Sequence, residues 1–350
     1  MRVYTVGYSA FTLSQLVERL AEAGVEVVVD VRRYPRSKIG FSKEALEEAL
    51  RAAGMQYVWM GELGALGVRG PRAGCVESPT FDAYVWRLYR YAPAVMQLEE
   101  LARTAARRTT AVLCREEDWR HCHRQFIADY LASRGFEVVH IRRQGVERHA
   151  PTPCYGKLEP PPLDVVEKAV RDFAHLCNRG SVYLYGGALH KSGGDIDVVV
   201  YGQGEPEELP RGYDAQFIPK PSDDLFHLFV TRGVLICGKP HAVDPRKAIQ
   251  NELREADALL HYFNRGDHPV LVCKAAKRLI FLAAVLICGP AADTWHRATA
   301  CLRGRGLEAP PQFKNCLSPP PVEEMRQLAP AVEQIYAAVR QASAGASTQS

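Results

Sequence analysis

The sequence predicts an α/β N-terminal domain with a mostly parallel sheet, then an α+β core, then an all-α C-terminal region. Three observations predict this order. Strand and helix patterns alternate over residues 1–148, as in the strand–helix units that build a parallel sheet. Five prolines fall within residues 149–162, which predicts a stiff linker and a domain boundary. Residues 243–342 follow a helical pattern.

Each element of the N-terminal domain has its own sequence signal. The run Val25–Val31 is rich in valine and contains only Glu26 and Asp30 as polar residues, which is typical of a strand buried on both faces. The segment Thr12–Ala23 places its leucines on one helical face and is followed by Gly24, a common end signal. Ser42 precedes another helical pattern and is expected to cap it. The remaining predicted elements are the strands 3–6, 110–114 and 136–141 and the helix 124–133.

The second half of the chain begins with the predicted α+β core, residues 163–242. It contains a predicted helix and three strands: 164–177, then 182–185, 195–201 and 213–218. Within the helical region, the apolar stretch 279–289 is too short to span a bilayer and is better explained as a buried helix. The small polar residues 343–350 predict a disordered tail.

Composition limits the class of protein. Hydrophobic residues make up 47% and charged residues 24% of the chain, as in ordinary globular proteins. The net charge of +4 permits a nucleotide or nucleic-acid partner but does not argue for one. The chain lacks a charged-then-apolar leader pattern, so we expect a cytoplasmic protein without a membrane partner.

The chain contains ten cysteines, and the expected cytoplasmic location bears on their oxidation state. The chain is too long for a disulfide scaffold, and a reducing cytosol is the default expectation. Cys237, Cys273 and Cys288 lie in apolar runs, where we expect them to be small core residues. Disulfides remain an alternative, because cytosolic proteins of hyperthermophiles can carry them.

Two aspartates lie two positions apart in a predicted strand. Because residues i and i+2 of a strand share a face, Asp195 and Asp197 are expected to project together. Adjacent carboxylates repel each other unless a divalent cation lies between them. Asp214, in the next predicted strand, is a candidate third ligand or a base for an attacking hydroxyl. We therefore expect Mg²⁺ or Mn²⁺ at these three residues.

A glycine-rich turn precedes these acids. Gly186 and Gly187 follow a predicted strand, and the backbone N–H groups of such glycines can approach phosphate oxygens closely. With Lys191 and Ser192 in the loop, they form the predicted nucleotide-binding set. A turn followed by a strand with solvent-facing acids is the structural alternative.

This constellation resembles the DNA polymerase beta-like nucleotidyltransferase superfamily in its minimal form. The family pattern is a strand ending in Gly-Gly or Gly-Ser, a variable loop, Asp-x-Asp in the next strand and a later Asp. Gly186, Gly187, Asp195, Asp197 and Asp214 follow in that order, although the loop is slightly short and Gly187 replaces a common Ser. The resemblance implies transfer of a nucleotide from a nucleoside triphosphate to a hydroxyl of an unknown protein, RNA or small molecule, with release of pyrophosphate. The alternative is a non-catalytic nucleotide- or nucleic-acid-binding regulatory protein, as in a toxin–antitoxin-like pair.

A second candidate site lies at the predicted carboxyl ends of the N-terminal strands, where ligands bind in open α/β sheets. Asp30 ends one strand, and Arg32, Arg36 and Lys38 follow it as a predicted anion-binding rim. The alternative is a solvated basic loop in which Asp30 pairs with an arginine.

A cysteine- and histidine-rich segment adds to this site. Cys114 ends a predicted strand, and Cys122, His123 and Arg124 open a predicted helix, a setting that lowers a thiol pKa. Cys114 and Arg120 fit a Cys-x5-Arg phosphatase spacing, but the acidic run between them would repel phosphate. Zinc bound by the cysteines and histidines of this segment, or inert structural cysteines, are the alternatives. We predict that one pocket collects Arg32, Arg36, Cys122, His123 and Arg124.

Residues 4–141 are similar to the widespread domain-of-unknown-function family 488. The similar pieces are residues 5–9, 30–32 with Pro35 and Ser37, Phe41, Tyr57, 63–64, 122–124 and 138–141. The resemblance implies that these residues form one domain of that family, which has no settled activity. Binding of a nucleotide or nucleic acid by the arginines, histidine and cysteines of the predicted rim is a hypothesis.

Overall fold

The computed structural model describes residues 1–37, 40–189, 196–203 and 210–347. Its contacts divide the chain into two compact units. The first contains Met1–His175 with Val234–Cys237, and the second contains Leu176–Gly233 with the chain from Gly238 onward. The division therefore falls after His175 rather than within the Pro-rich segment 149–162.

The first unit is built on a six-stranded, mostly parallel sheet, as predicted. Its strands are β1 (Arg2–Gly7), β2 (Val27–Asp30), β3 (Gln56–Trp59), β4 (Thr110–Cys114), β5 (Glu137–Ile141) and β6 (Val146–Arg148). They lie in the order β3-β2-β4-β1-β5-β6. Only β6, paired with β5, runs antiparallel to its neighbour in this sheet. The carboxyl ends of β2, β4 and β1 therefore meet at one edge.

Helices cover both faces of this sheet. The helices of the first unit are α1 (Leu13–Glu22), α2 (Lys43–Ala52), α3 (Pro79–Arg90), α4 (Ala92–Ala105), α5 (Arg124–Ser133) and α6 (Leu163–Phe173). Apolar side chains of α1 and α2 pack on one face, and those of α3, α4 and α5 pack on the other. Ser42 accepts a hydrogen bond from the Ala45 backbone N–H, so its predicted role as the α2 cap is confirmed.

The Pro-rich segment is held against the first unit. Asp129 accepts hydrogen bonds from the backbone N–H and the hydroxyl of Thr152. Arg90 donates to the Glu159 carbonyl at 2.7 Å. A disulfide joins Cys75 to Cys154. These bonds explain why residues 149–162 belong to the first unit and why the boundary between the units comes later in the chain, after His175.

The second unit begins with three strands, β7 (Gly180–Tyr185), β8 (Ile196–Gly202) and β9 (Tyr213–Ile218). The first pair, β7 and β8, is antiparallel, and the second pair, β8 and β9, is parallel. The predicted strand 213–218 coincides with β9. Next in the chain come α7 (Leu225–Arg232) and the short strand β10 (Val234–Cys237), which is grouped with the first unit.

The rest of the second unit is helical, as predicted. Its helices are α8 (Pro245–Arg265), α9 (Pro269–Cys288), α10 (Trp295–Arg303), α11 (Val322–Arg326) and α12 (Ala329–Ser347). The central helix is α9, which packs against α8, α10 and α12. Its apolar residues are largely buried, as expected of the stretch 279–289. The end of α12 overlaps the predicted disordered tail 343–350. Within the described residues, no helix is long and apolar enough to cross a membrane.

The expectation that three cysteines are simple core residues is wrong. A disulfide joins Cys273 to Cys316 and another joins Cys288 to Cys301, and Cys237 is also disulfide-bonded. Cys273 is buried as expected, whereas Cys237 is half-buried and Cys288 is exposed. The partners of Cys273 and Cys288 were not predictable, because the packing of the folded chain brings them together and periodicity does not encode that packing.

Candidate functional site

A row of three polar side chains crosses the strands of the second unit. In the strand pairing, Asp197 of β8 is opposite Tyr185 of β7 and Asp214 of β9. Residues paired in this way on neighbouring strands point to the same face of a sheet. Asp197 is half-buried and Asp214 is exposed. Two predicted ligands therefore lie side by side on neighbouring strands, with one of them open to solvent.

Gly186 positions the carboxylate of Asp197. Its φ is +82°, a left-handed conformation that side chains other than hydrogen rarely adopt. A Cβ atom at this position would lie 2.3 Å from Oδ2 of Asp197. The turn after β7 and the carboxylate of β8 are thus in direct contact, and only glycine leaves room for both. By contrast, a Cβ atom on Gly187 would meet no atom within 4 Å.

The charges around this row identify a residue that the sequence reasoning missed. Burial, and then Asp197 and Asp214, raise the pKa of Tyr185. Burial lowers the pKa of Lys277, a residue of α9, while Asp197 acts in the opposite direction. Lys277 also donates to the Lys314 carbonyl at 2.9 Å. A cation from the helical region therefore lies in the field of Asp197.

Three predicted residues of this site, Lys191, Ser192 and Asp195, lie outside the described residues. Gly187 begins a single 3-10 turn, Gly187–Leu189, directly after Gly186. The sequence predicted that Asp195, Asp197 and Asp214 share one face of the sheet. The structure shows a shared face for Asp197 and Asp214, and it does not describe Asp195.

The first residues of the second candidate site form a buried ion pair. Asp30 is 0% exposed and Arg32 is 7% exposed, and their closest nitrogen and oxygen atoms are 2.6 Å apart. Arg32 also donates to the Phe41 carbonyl, and the Tyr57 hydroxyl donates to Asp30. Asp30 therefore pairs with an arginine, as in the structural alternative for this loop, but the pair is buried and not solvated. Arg36 is exposed, and Lys38 lies outside the described residues.

Replacing Asp30 with alanine is expected to lower the free energy of unfolding by about 3–5 kcal/mol, because Arg32 would remain buried without its partner. The double variant Asp30→Ala/Arg32→Met should recover part of this loss, since neither charge remains. Urea unfolding of the wild type, both single variants and the double variant measures this coupling. Additive losses would show that the two residues are not energetically paired.

Arg124 holds the loop that follows β4. Its buried guanidinium donates to the Glu117 carbonyl at 2.6 Å, to the Glu116 carbonyl and to the Thr5 hydroxyl. The same loop presses on the end of β1, where a Cβ atom on Gly7 would lie 1.7 Å from the Glu116 carbonyl oxygen. Arg124 therefore fixes the backbone of this loop.

Two thiols and an imidazole meet behind this loop. The Cys114 sulfur lies 3.7 Å from Nδ1 of His123, and the Cys122 sulfur lies 3.8 Å from the same atom. All three residues are buried. The hydrogen bond with Cys122, and then burial, raise the pKa of Cys114. Burial opposes ionisation of Cys122, but Cys114 and His123 together hold its pKa below the usual range.

The start of α5 and the end of β2 lie at the same edge of the sheet. Nε2 of His123 is 3.2 Å from the Val31 carbonyl oxygen, next to Arg32. Cys122 and His123 are therefore close to the Arg32 backbone. The guanidinium of Arg124 donates its hydrogen bonds to backbone carbonyls and to the Thr5 hydroxyl, and the guanidinium of Arg32 donates to Asp30.

A hydrogen-bonded chain that the sequence reasoning missed runs beside this cluster. It joins the Thr5 hydroxyl to His140, His140 to His149 and His149 to Asp129, over 2.6, 3.1 and 2.9 Å. The ring of Trp119 stacks on His140 at 4.3 Å. Burial, His149 and the arginines 124, 120 and 142 lower the pKa of His140 to about 2.

The free energy of unfolding is therefore expected to fall as pH is lowered below about 6.5. In that range an unfolded His140 binds a proton and the folded one does not, which costs up to about 1.4 kcal/mol per pH unit. Denaturant unfolding at several pH values should show a smaller slope in His140→Gln than in the wild type. The matched variant His121→Gln, in which the replaced side chain is 83% exposed, should keep the wild-type slope. Equal slopes in wild type and His140→Gln would contradict the assignment.

Comparison with known proteins identifies the N-terminal domain. Residues 12–131 match the family described as Domain of unknown function DUF488. This match confirms the N-terminal resemblance and does not extend to residues 163–242, where the nucleotidyltransferase resemblance stays a prediction. Searches of curated proteins and of solved structures found no significant match.

Proposed function

We propose that the second unit transfers a nucleotide from a nucleoside triphosphate to an acceptor hydroxyl. The observation that supports this most directly is the pairing of Asp197 with Asp214 on parallel neighbouring strands, with Gly186 against the carboxylate of Asp197. Neighbouring strands are about 4.8 Å apart, so the two carboxylates repel each other in the absence of a cation.

The donor atoms fit a hard divalent cation. Carboxylate oxygens are the ligands that Mg²⁺ and Mn²⁺ prefer, and the exposure of Asp214 leaves room for water and phosphate oxygens. Asp197 and Asp214 would hold the cation, together with Asp195 as predicted from the sequence. When bound, the cation would neutralise the charge on the triphosphate and on its leaving group.

The remaining residues have separate roles in this proposal. Gly186 fixes the position of Asp197, and its backbone N–H group would be available beside it for a phosphate oxygen. Lys277 supplies a positive charge near Asp197, on the side of α9, where it would bind the triphosphate. Asp214, the more exposed acid, would accept the proton of the attacking hydroxyl.

The experiment is incubation of the full-length protein with radiolabelled nucleoside triphosphates, Mg²⁺ or Mn²⁺, and candidate protein, RNA and small-molecule acceptors. The proposal predicts label transfer and pyrophosphate release that both require the divalent cation and stop when a chelator is added. Triphosphate binding without transfer to any acceptor class would instead favour a regulatory nucleotide-binding protein.

A further inference from the structure

We propose that Cys114, Cys122 and His123 of the first unit bind one zinc ion. Their donor atoms all lie within 4.8 Å of one another. In a tetrahedral zinc site, bond lengths of about 2.3 Å to sulfur and 2.0 Å to nitrogen place sulfur and nitrogen about 3.5 Å apart. The sulfur–nitrogen distances of 3.7 and 3.8 Å are close to this spacing. The donor atoms are therefore spaced as a zinc ion requires, and binding would also need a rotation of the His123 ring.

The imidazole of His123 has the tautomer that a metal ligand needs. Nε2 lies 3.2 Å from the Val31 carbonyl oxygen, which can only accept a hydrogen bond. Nε2 therefore carries the proton, and Nδ1 is left with the free lone pair. The Cys114 sulfur lies 3.7 Å from Nδ1 and 4.0 Å from Nε2, so the ring would turn on binding to point this lone pair between the two sulfur atoms. Metal-binding histidines are commonly fixed in this way, by donating their other N–H group to a carbonyl or carboxylate.

Rigid elements carry the three ligands. Cys114 is the last residue of β4, and Cys122 and His123 immediately precede α5. Arg124, the first residue of α5, anchors the intervening loop through its carbonyls. The site is therefore built by the sheet edge and the helix start, and it does not depend on a flexible loop for its ligands.

The oxidation state of the cysteines supports the same conclusion. Cys114 and Cys122 are the free cysteines of the chain, and the other eight are disulfide-bonded. Two thiols adjacent to one histidine form a soft nitrogen–sulfur donor set, which suits zinc and not Mg²⁺. A zinc ion would also keep these two thiols from oxidising to a disulfide with each other.

Glu116 lies on the solvent side of the cluster. Its carboxylate oxygen Oε2 is 3.3 Å from the Cys114 sulfur, and the residue is exposed. In this proposal Glu116 lies next to the fourth coordination position of the zinc ion, where it slows release of the zinc. Glu116→Gln should keep one zinc per chain but weaken binding by about 10–100-fold, as when a supporting group around a metal is removed.

The test is elemental analysis of the purified full-length protein. One zinc per chain is expected in the wild type and in His121→Gln, whose replaced histidine is exposed and adjacent in sequence. Cys122→Ser and His123→Gln should each lose the zinc. Zinc retained in both of these variants, or wild-type protein that takes up no added Zn²⁺ after mild reduction, would overturn the proposal.

A second measurement covers the case in which those variants fail to fold. After removal of zinc with a chelator, wild-type protein titrated with Co²⁺ should show sulfur-to-cobalt charge-transfer absorption at one equivalent. The disulfide-bonded cysteines cannot supply thiolates, so this absorption would come from Cys114 and Cys122. Stoichiometric Co²⁺ binding without thiolate absorption, or a Cys114–Cys122 disulfide in freshly purified protein, would contradict the assignment.

Discussion

Asp197→Asn is expected to lower the rate of nucleotide transfer by about 10²–10³-fold, similar to the loss of one transition-state electrostatic contact. The substitution removes one of the two paired charges that would hold the divalent cation. The substitution also relieves the repulsion between Asp197 and Asp214 when no cation is bound. Label transfer and melting temperature should be measured on the same preparations.

The matched control for this prediction is Asp267→Asn. Asp267 is an exposed acid between α8 and α9, so its replacement makes the same change of net charge away from the carboxylate row. Its transfer rate should equal that of the wild type. Equal rates in wild type and Asp197→Asn would remove Asp197 from the catalytic site. A large loss of stability in Asp197→Asn would show a structural role instead.

Gly186→Ala is expected to reduce transfer by about 10²-fold, because a shift of the reacting groups by roughly 1 Å has an effect of that size. The new methyl group would lie 2.3 Å from Oδ2 of Asp197, so the carboxylate must move. The left-handed backbone adds an expected loss of about 1–2 kcal/mol in the free energy of unfolding.

Gly187→Ala provides the comparison for stability. A Cβ atom there meets nothing within 4 Å, and no positive φ is found at this glycine. Thermal unfolding should therefore show a larger decrease in melting temperature for Gly186→Ala than for Gly187→Ala. Equal melting temperatures in these two variants would show that the contact between Gly186 and Asp197 is not tight.

The sequence predicted the elements whose local signals agree with their packing. The β-branched run 25–31 became the buried strand β2, and Thr12 and Ser42 cap the helices expected after them. Helix α3 was missed, and all nine of its residues from Asp82 to Arg90 are buried, the charged ones included, so the division into polar and apolar residues does not show which face is buried. Local periodicity reports one buried face, and it fails where a helix is enclosed on all sides.

The candidate site was predictable only where its residues are close in sequence. Gly186 directly follows β7, and Asp197 and Asp214 lie in β8 and β9, the next strands along the chain, so their order in the sequence predicted their proximity. Lys277 comes from α9, and tertiary packing, which leaves no local signal, brings it into the field of Asp197. The pairing of Arg32 with Asp30, two residues away, was one of the two alternatives that the sequence offered, and the burial of that pair is what the sequence did not predict.

The central claim, nucleotide transfer by the second unit, is tested most directly by the position of the transferred label. The full-length protein is incubated with divalent cation, acceptor and a triphosphate labelled at either the α- or the γ-phosphate. The account predicts that the acceptor gains the α-label and that the γ-label is released in pyrophosphate. Transfer of the γ-label to the acceptor, or γ-label released only as inorganic phosphate, would contradict it.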